Sequence, residues 1–103
     1  MRLLTDAGSY RCPPGTPNHF VEHLREPALS VGTYCVPRGG EDDQLPHGQD
    51  EVYVVMSGAA TLRSGGESVA VGAGSVVFVP AGEAHRFVDV TEDLALLVLF
   101  APA

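Results

Sequence analysis

Short apolar runs, broken every few residues by turn formers, dominate this chain, and almost none of it shows the 3.6-residue periodicity of a helix. The runs are rich in β-branched and aromatic side chains, which favour extended backbone. HFVEHLR (19–25), LSVGTYCV (29–36), EVYVVM (51–56), AATLRS (59–64), ESVAV (67–71), SVVFV (75–79), AHRFVDV (84–90) and LALLVLF (94–100) each read as a strand. The glycine pair Gly65-Gly66 is a hairpin signal. Further breaks fall at Pro27, Ser57-Gly58, Gly72-Ala73-Gly74, Pro80-Ala81-Gly82 and the polar run Thr91-Glu92-Asp93. Many short strands at this spacing predict an all-β sandwich or barrel. No repeat of fixed period is present, which removes propellers and solenoids.

The 103 residues suit one domain. Residues 1–18, rich in Gly, Pro, Ser and Thr, are expected to form an arm that is partly ordered or docks on a neighbour. Residues 19–103 then form the barrel. Residues 37–50, PRGGEDDQLPHGQD, read as a polar loop whose acidic run Glu41-Asp42-Asp43 is expected to be solvated. No apolar run approaches the roughly 18 residues of a membrane helix. The N-terminal residues lack the apolar stretch of a secretory signal, so the expected compartment is the cytoplasm. Thirteen acidic against six basic residues, net −7, make nucleic acid a poor partner. Cys12 and Cys35 fit no zinc spacing and are expected to be reduced thiols.

Chemistry concentrates in two places. His47 and Glu51 sit in LPHGQDEVYVVMSG, and His85 sits in GSVVFVPAGEAHRF. Each stands at the mouth of a strand, just after turn residues. Two imidazoles and one carboxylate, brought together, form an incomplete shell for a divalent ion with room for a substrate. Alternation along a strand puts Glu51, Tyr53 and Val55 on one face, and His85, Phe87 and Asp89 on another. Facing inward, these strands would offer ligands at the mouth and bulky groups below, a pocket with a polar end and an apolar floor. Tyr53, Val55, Phe87 and Leu45 are its candidate walls. Asp89 is a candidate to orient a ligand imidazole, or else a strand-end carboxylate. Arg86 should face out. His19 and His23 share a strand face without a supporting carboxylate, which suits a surface or interface role.

The two segments resemble the paired motifs of the cupin superfamily. The first runs Gly39, five residues, Leu45, Pro46, His47, three residues, Glu51, six residues and Gly58; the second runs Gly74, Pro80, Gly82, His85 and Asp89. The short stretch between them is similar to that of small single-domain members. The resemblance implies a double-stranded β-helix, a six- to eight-stranded jelly-roll barrel with one ligand cavity. It also implies that His47, Glu51 and His85 occupy metal-ligand positions. The family's first motif histidine is Leu45 here, and leucine cannot coordinate. Gln44, one residue off register, is a candidate fourth ligand through its amide oxygen.

A two-histidine, one-carboxylate set is the arrangement of open-site non-haem Fe(II) oxygenases. The expected cofactor is Fe, Mn, Ni or Zn. The leading expectation is an enzyme acting on a small organic molecule with dioxygenase-like chemistry, ahead of an isomerase or cyclase. A non-catalytic ligand-binding module is the alternative. Exposed sheet edges, which pairing would cover, make a homodimer the expected assembly.

Overall fold

Alternating side chains and turn chemistry produce six strands in the computed structural model, which describes all 103 residues. They are β1 (His19–Glu26), β2 (Leu29–Val36), β3 (Asp50–Ser64), β4 (Glu67–Gly72), β5 (Val76–Val79) and β6 (His85–Ala101). There is no helix, and so none long and apolar enough to cross a membrane. Every pairing is antiparallel, in the order β1-β2-β6-β3-β4, with β5 added to β3.

Two expected breaks are absent. Ser57-Gly58 does not end a strand, because β3 runs on to Ser64 with register shifts between Val55 and Thr61. Thr91-Glu92-Asp93 does not end one either, since β6 continues for 17 residues. Both polar spots are bends inside long strands. An irregular register turns the strand through an angle without reversing it. The bends lie against each other: Gly58 has φ +95°, and a Cβ there would stand 2.2 Å from the Asp93 carbonyl oxygen. The hairpin at Gly65-Gly66 forms as expected, with φ +58° at Gly65.

The bends divide the sheet into two halves. The first part of β3 pairs with β5 and with the last part of β6, which continues through β2 to β1. The second part of β3 pairs with β4 and with the first part of β6. One core joins the halves, and the ring of Tyr53 from one lies 4.9 Å from that of Phe87 in the other. Phe87, Leu94 and Leu96 are almost fully buried there, and each such burial contributes roughly 1.5–3 kcal/mol.

Inward alternation holds for Glu51, Tyr53 and Val55, and for His85 and Phe87. It fails at Asp89. That residue has φ +50°, its side chain is exposed, and Val90 takes the inner face. Asp89 therefore orients no ligand. Arg86 faces out.

Residues 1–18 form no strand. Arg2 pairs with Glu26, and Asn18 donates to the Glu41 carbonyl at 2.8 Å and to Asp43 at 2.9 Å. The Cys12 sulfur lies 4.0 Å from the Cys35 carbonyl, and both cysteines are free thiols. Burial, then the neighbouring Cys12, pushes the Cys35 thiol up. His23 stands at an irregularity in β1 and shares a hydrogen bond with Thr33 Oγ1 at 3.1 Å.

Candidate metal centre

Three elements bring the site together. Glu51 is the second residue of β3 and pairs with Phe100 on one side and Val79 on the other. Alternation with the outward-facing Val52 turns its side chain to the interior. His85 opens β6 in the opposite half of the sheet. Ahead of it, Pro80–Glu83 forms a tight turn, closed by the Glu83 N–H donating to the Pro80 carbonyl, with Gly82 at φ +80°. That is the type II pattern, which needs glycine at this place. The same turn is tied to the first motif: Gly82 N–H donates to the His47 carbonyl at 2.7 Å, and Ala81 N–H donates to Asp50 Oδ1 at 2.9 Å. Local turn chemistry thus sets the spacing between His47 and His85.

The result is a cluster in which His47, Glu51 and His85 each offer a ligand atom within 4.8 Å of the others. Glu51 is 2% exposed and its Oε1 receives no hydrogen bond. That oxygen lies 2.9 Å from His85 Nε2, but the contact is not an aligned hydrogen bond. Two donors about 2.1 Å from one ion, at right angles, stand about 3 Å apart. The donor types, their spacing and the orphaned oxygen therefore fit a divalent cation.

His85 is oriented from behind. Its Nδ1 bonds the Glu83 carbonyl at 2.9 Å, which turns Nε2 toward the cluster. Nε2 also shares a 2.8 Å hydrogen bond with the Tyr53 hydroxyl. Burial pushes the imidazole down, but the Glu51 carboxylate and the Glu83 carbonyl outweigh it and hold the pKa above its usual value. Burial, reinforced by Glu51, pushes the Tyr53 phenol far up, so it stays a neutral hydroxyl. Phe100 packs edge-on against the His47 ring at 4.8 Å.

A cavity of about 310 Å³ opens on the cluster and reaches His47, Glu51, Tyr53 and Gln44. Its apolar wall is Phe20, Tyr34, Val98 and Phe100. Of the expected walls, only Tyr53 lines it. Val55 and Phe87 lie below, sealed in the core. Leu45 is 76% exposed and points away. Its neighbour Gln44 turns in instead. Alternation cannot foresee this, because residues 40–47 are an irregular loop without a period.

Asp42 also departs from expectation. It was expected in solvent with Glu41 and Asp43, but it is 3% exposed. It accepts from the Tyr34 hydroxyl, from Gln44 and from the Phe87 N–H. Burial and this carboxylate push the Tyr34 phenol well up. No sequence signal separates Asp42 from its acidic neighbours. Phe100 was findable, as an inward position two residues beyond Val98 on β6.

Comparisons with known proteins agree with this architecture. The cupin domain family matches residues 32–101. An uncharacterized protein of Streptomyces coelicolor is 51% identical over 83 residues, covering 81% of this chain and 79% of the relative. Among solved structures, TT1209 from Thermus thermophilus superposes with a TM-score of 0.80 at 24% identity, over 99% of this chain and 96% of that one. An RmlC-like cupin family protein with a double-stranded β-helix fold, from Methanocaldococcus jannaschii, gives 0.76 at 15% identity, over 90% and 87%. The bent sheet is that same fold.

Proposed function

The chain belongs to the cupin domain family as a small single-domain member, and on that premise we propose that it is a metal-dependent enzyme acting on a small organic molecule. His47, Glu51 and His85 would hold the ion, one of Fe, Mn, Ni or Zn. The observation that carries the reading is Glu51 Oε1, a buried carboxylate oxygen with no hydrogen-bond donor, facing an imidazole nitrogen 2.9 Å away. Opposite a neutral imidazole that oxygen has no partner, which costs roughly 1–3 kcal/mol, and more for a charged group; in the metal-free protein a proton on His85 relieves it only below the raised imidazole pKa. A cation removes that cost.

When bound, the ion would supply Lewis acidity and, for Fe or Mn, chemistry with dioxygen as co-substrate. Dioxygenase-like turnover is the leading form, with isomerase or cyclase activity behind it. The protein's own groups would do the rest. The cavity admits only a small molecule. Phe20, Phe100 and Val98 would pack its apolar part and exclude water. The neutral Tyr53 hydroxyl, whose proton goes to Gln44 Oε1, would offer its oxygen as an acceptor to a hydroxyl or N–H of the substrate beside the cluster.

A second reading is a non-catalytic ligand-binding module. It is favoured by the Tyr53 hydroxyl, which already occupies His85 Nε2. Metal content separates the two. After growth in metal-supplemented medium, the purified protein should carry close to one ion per chain, and His85→Ala should carry none. Equal absence of metal from both would remove the enzyme reading. Oxygen uptake on a panel of enols, thiols and catechols then tests the oxidative form. A homodimer belongs to the same proposal, supported by the exposed apolar residues Val76 and Phe78 on the outer face.

A further inference from the structure

The orientation of the Gln44 amide is decided by chemistry. Asp42 is a buried carboxylate, and a carboxylate accepts hydrogen bonds without donating any. Its Oδ2 takes the Phe87 N–H at 2.8 Å and the Gln44 side chain at 2.6 Å; its Oδ1 takes the Tyr34 hydroxyl at 2.8 Å and the Gln44 N–H at 3.3 Å. The end of Gln44 that faces Asp42 is therefore the NH2 group, and the amide oxygen must face the other way. That oxygen points into the cluster. It accepts from the Tyr53 hydroxyl at 2.8 Å and stands 3.2 Å from His47 Nε2. It lines the cavity beside Glu51, while Leu45 points into solvent.

We infer that Gln44 Oε1 is a fourth protein donor of the metal centre, and that Asp42 is the positioning residue that aims it. The inference rests on the metal reading above and deepens it. The Phe87 N–H bond anchors Asp42 to β6 two residues beyond His85. Asp42 thus ties the loop bearing Gln44 and His47 to the strand bearing His85. The donor set becomes two imidazoles, one carboxylate and one neutral carbonyl oxygen. On a six-coordinate ion that leaves two positions open. Exchanging an imidazole for a carbonyl oxygen also shifts preference toward harder ions such as Mn2+, relative to Ni2+ or Zn2+.

The test uses chelator-treated full-length protein with Mn2+ and Co2+ as the only probes. Wild type, Gln44→Met, Asp42→Asn, Asp42→Ala and His85→Ala are compared by competition titration and by the visible absorption of Co2+. Gln44→Met keeps the chain length without the oxygen. It should weaken Mn2+ binding at least as much as the roughly ten- to a hundredfold that loss of an outer partner costs and change the Co2+ spectrum, while the lost bond to Asp42 lowers the metal-free melting temperature by less than Asp42→Ala does. Asp42→Asn should keep the wild-type Co2+ spectrum, because the Phe87 N–H forces its amide oxygen into the place of Oδ2 where it still receives the Gln44 amide, while its NH2 faces the Gln44 N–H and lowers the melting temperature. Asp42→Ala should reproduce the Gln44→Met spectrum. Should Gln44→Met bind like wild type with an unaltered spectrum while His85→Ala does not bind, the inference is wrong and the three-ligand centre stands. A wild-type protein that takes up neither ion overturns both.

Discussion

Replacing Asp42 by alanine should cost about 3 kcal/mol of folding free energy, far more than the same change at either acidic neighbour. The cost follows from what loses its partner. Hydrogen bonds to a charged acceptor contribute roughly 1.5–3 kcal/mol each. Tyr34 and Gln44 are both cavity-lining residues, so water entering from the cavity can replace part of what they lose. The Phe87 N–H is buried and cannot turn to water, so its full bond is lost. That bond, with a fraction of the other two, sums to about 3 kcal/mol. A domain of this size loses about 4–8 °C of melting temperature per kcal/mol, so the expected drop is about 12–24 °C. Glu41 is exposed and should change stability by less than about 0.5 kcal/mol. Asp43 is also exposed, accepts one side-chain bond from Asn18 and should cost under about 1 kcal/mol. Urea denaturation of the three alanine variants, followed by circular dichroism, checks the ranking. If Asp42→Ala unfolds at the same urea concentration as Glu41→Ala, the assignment of a buried hub to this residue is refuted.

Three further outcomes are expected. The His85 pKa is raised in the folded protein, so its contribution to metal-free stability is fully present below its unfolded pKa of about 6.5 and disappears as pH rises through the folded value; urea midpoints across that window should fall for wild type but lose this component in His85→Asn, and matching profiles would contradict it. Gly58→Ala combines a left-handed backbone with a contact to the Asp93 carbonyl, so it should destabilise by more than about 2 kcal/mol or fail to accumulate; a melting temperature within a few degrees of wild type would count against the bend as drawn. On the outer face, Phe78, Val52, Leu99 and Val31 lie side by side across four strands, with Phe78 60% exposed; sedimentation should give a dimer that Phe78→Lys converts to monomer, and a monomeric wild type at high concentration would exclude this interface.

Short-range patterns carried much of the architecture. β-branched runs and glycine or proline turns locate nearly every stretch of extended backbone, and the turn at Pro80-Ala81-Gly82 falls where it is expected, its type following from the φ of Gly82. The two motifs pick out the three side chains that converge, because each sits a short, turn-defined distance from the start of its strand. Alternation then places Glu51, Tyr53, His85 and Phe87 inward, since a strand offers only two faces. What alternation cannot do is tell a bend from a reversal. Ser57-Gly58 and Thr91-Glu92-Asp93 look like turns, yet they are the facing bends of two strands that continue.

The loop before β3 marks the other limit. Glu41, Asp42 and Asp43 are chemically alike and adjacent, and nothing local distinguishes them. Asp42 is buried because the Phe87 N–H and the Tyr34 hydroxyl, both distant in sequence, need an acceptor there. Leu45 is turned out and Gln44 turned in for the same reason, since the amide satisfies Asp42 and the apolar side chain cannot. Local patterns were enough to place most of the extended backbone, the turns at Gly65-Gly66 and Pro80-Ala81-Gly82, and the three side chains His47, Glu51 and His85 that converge. Which acidic residue is a hub, which loop side chain faces the site and which aromatic rings wall the cavity follow from contacts between distant segments. Hydrogen-bond satisfaction in a buried loop is settled by groups that meet only after the sheet has folded.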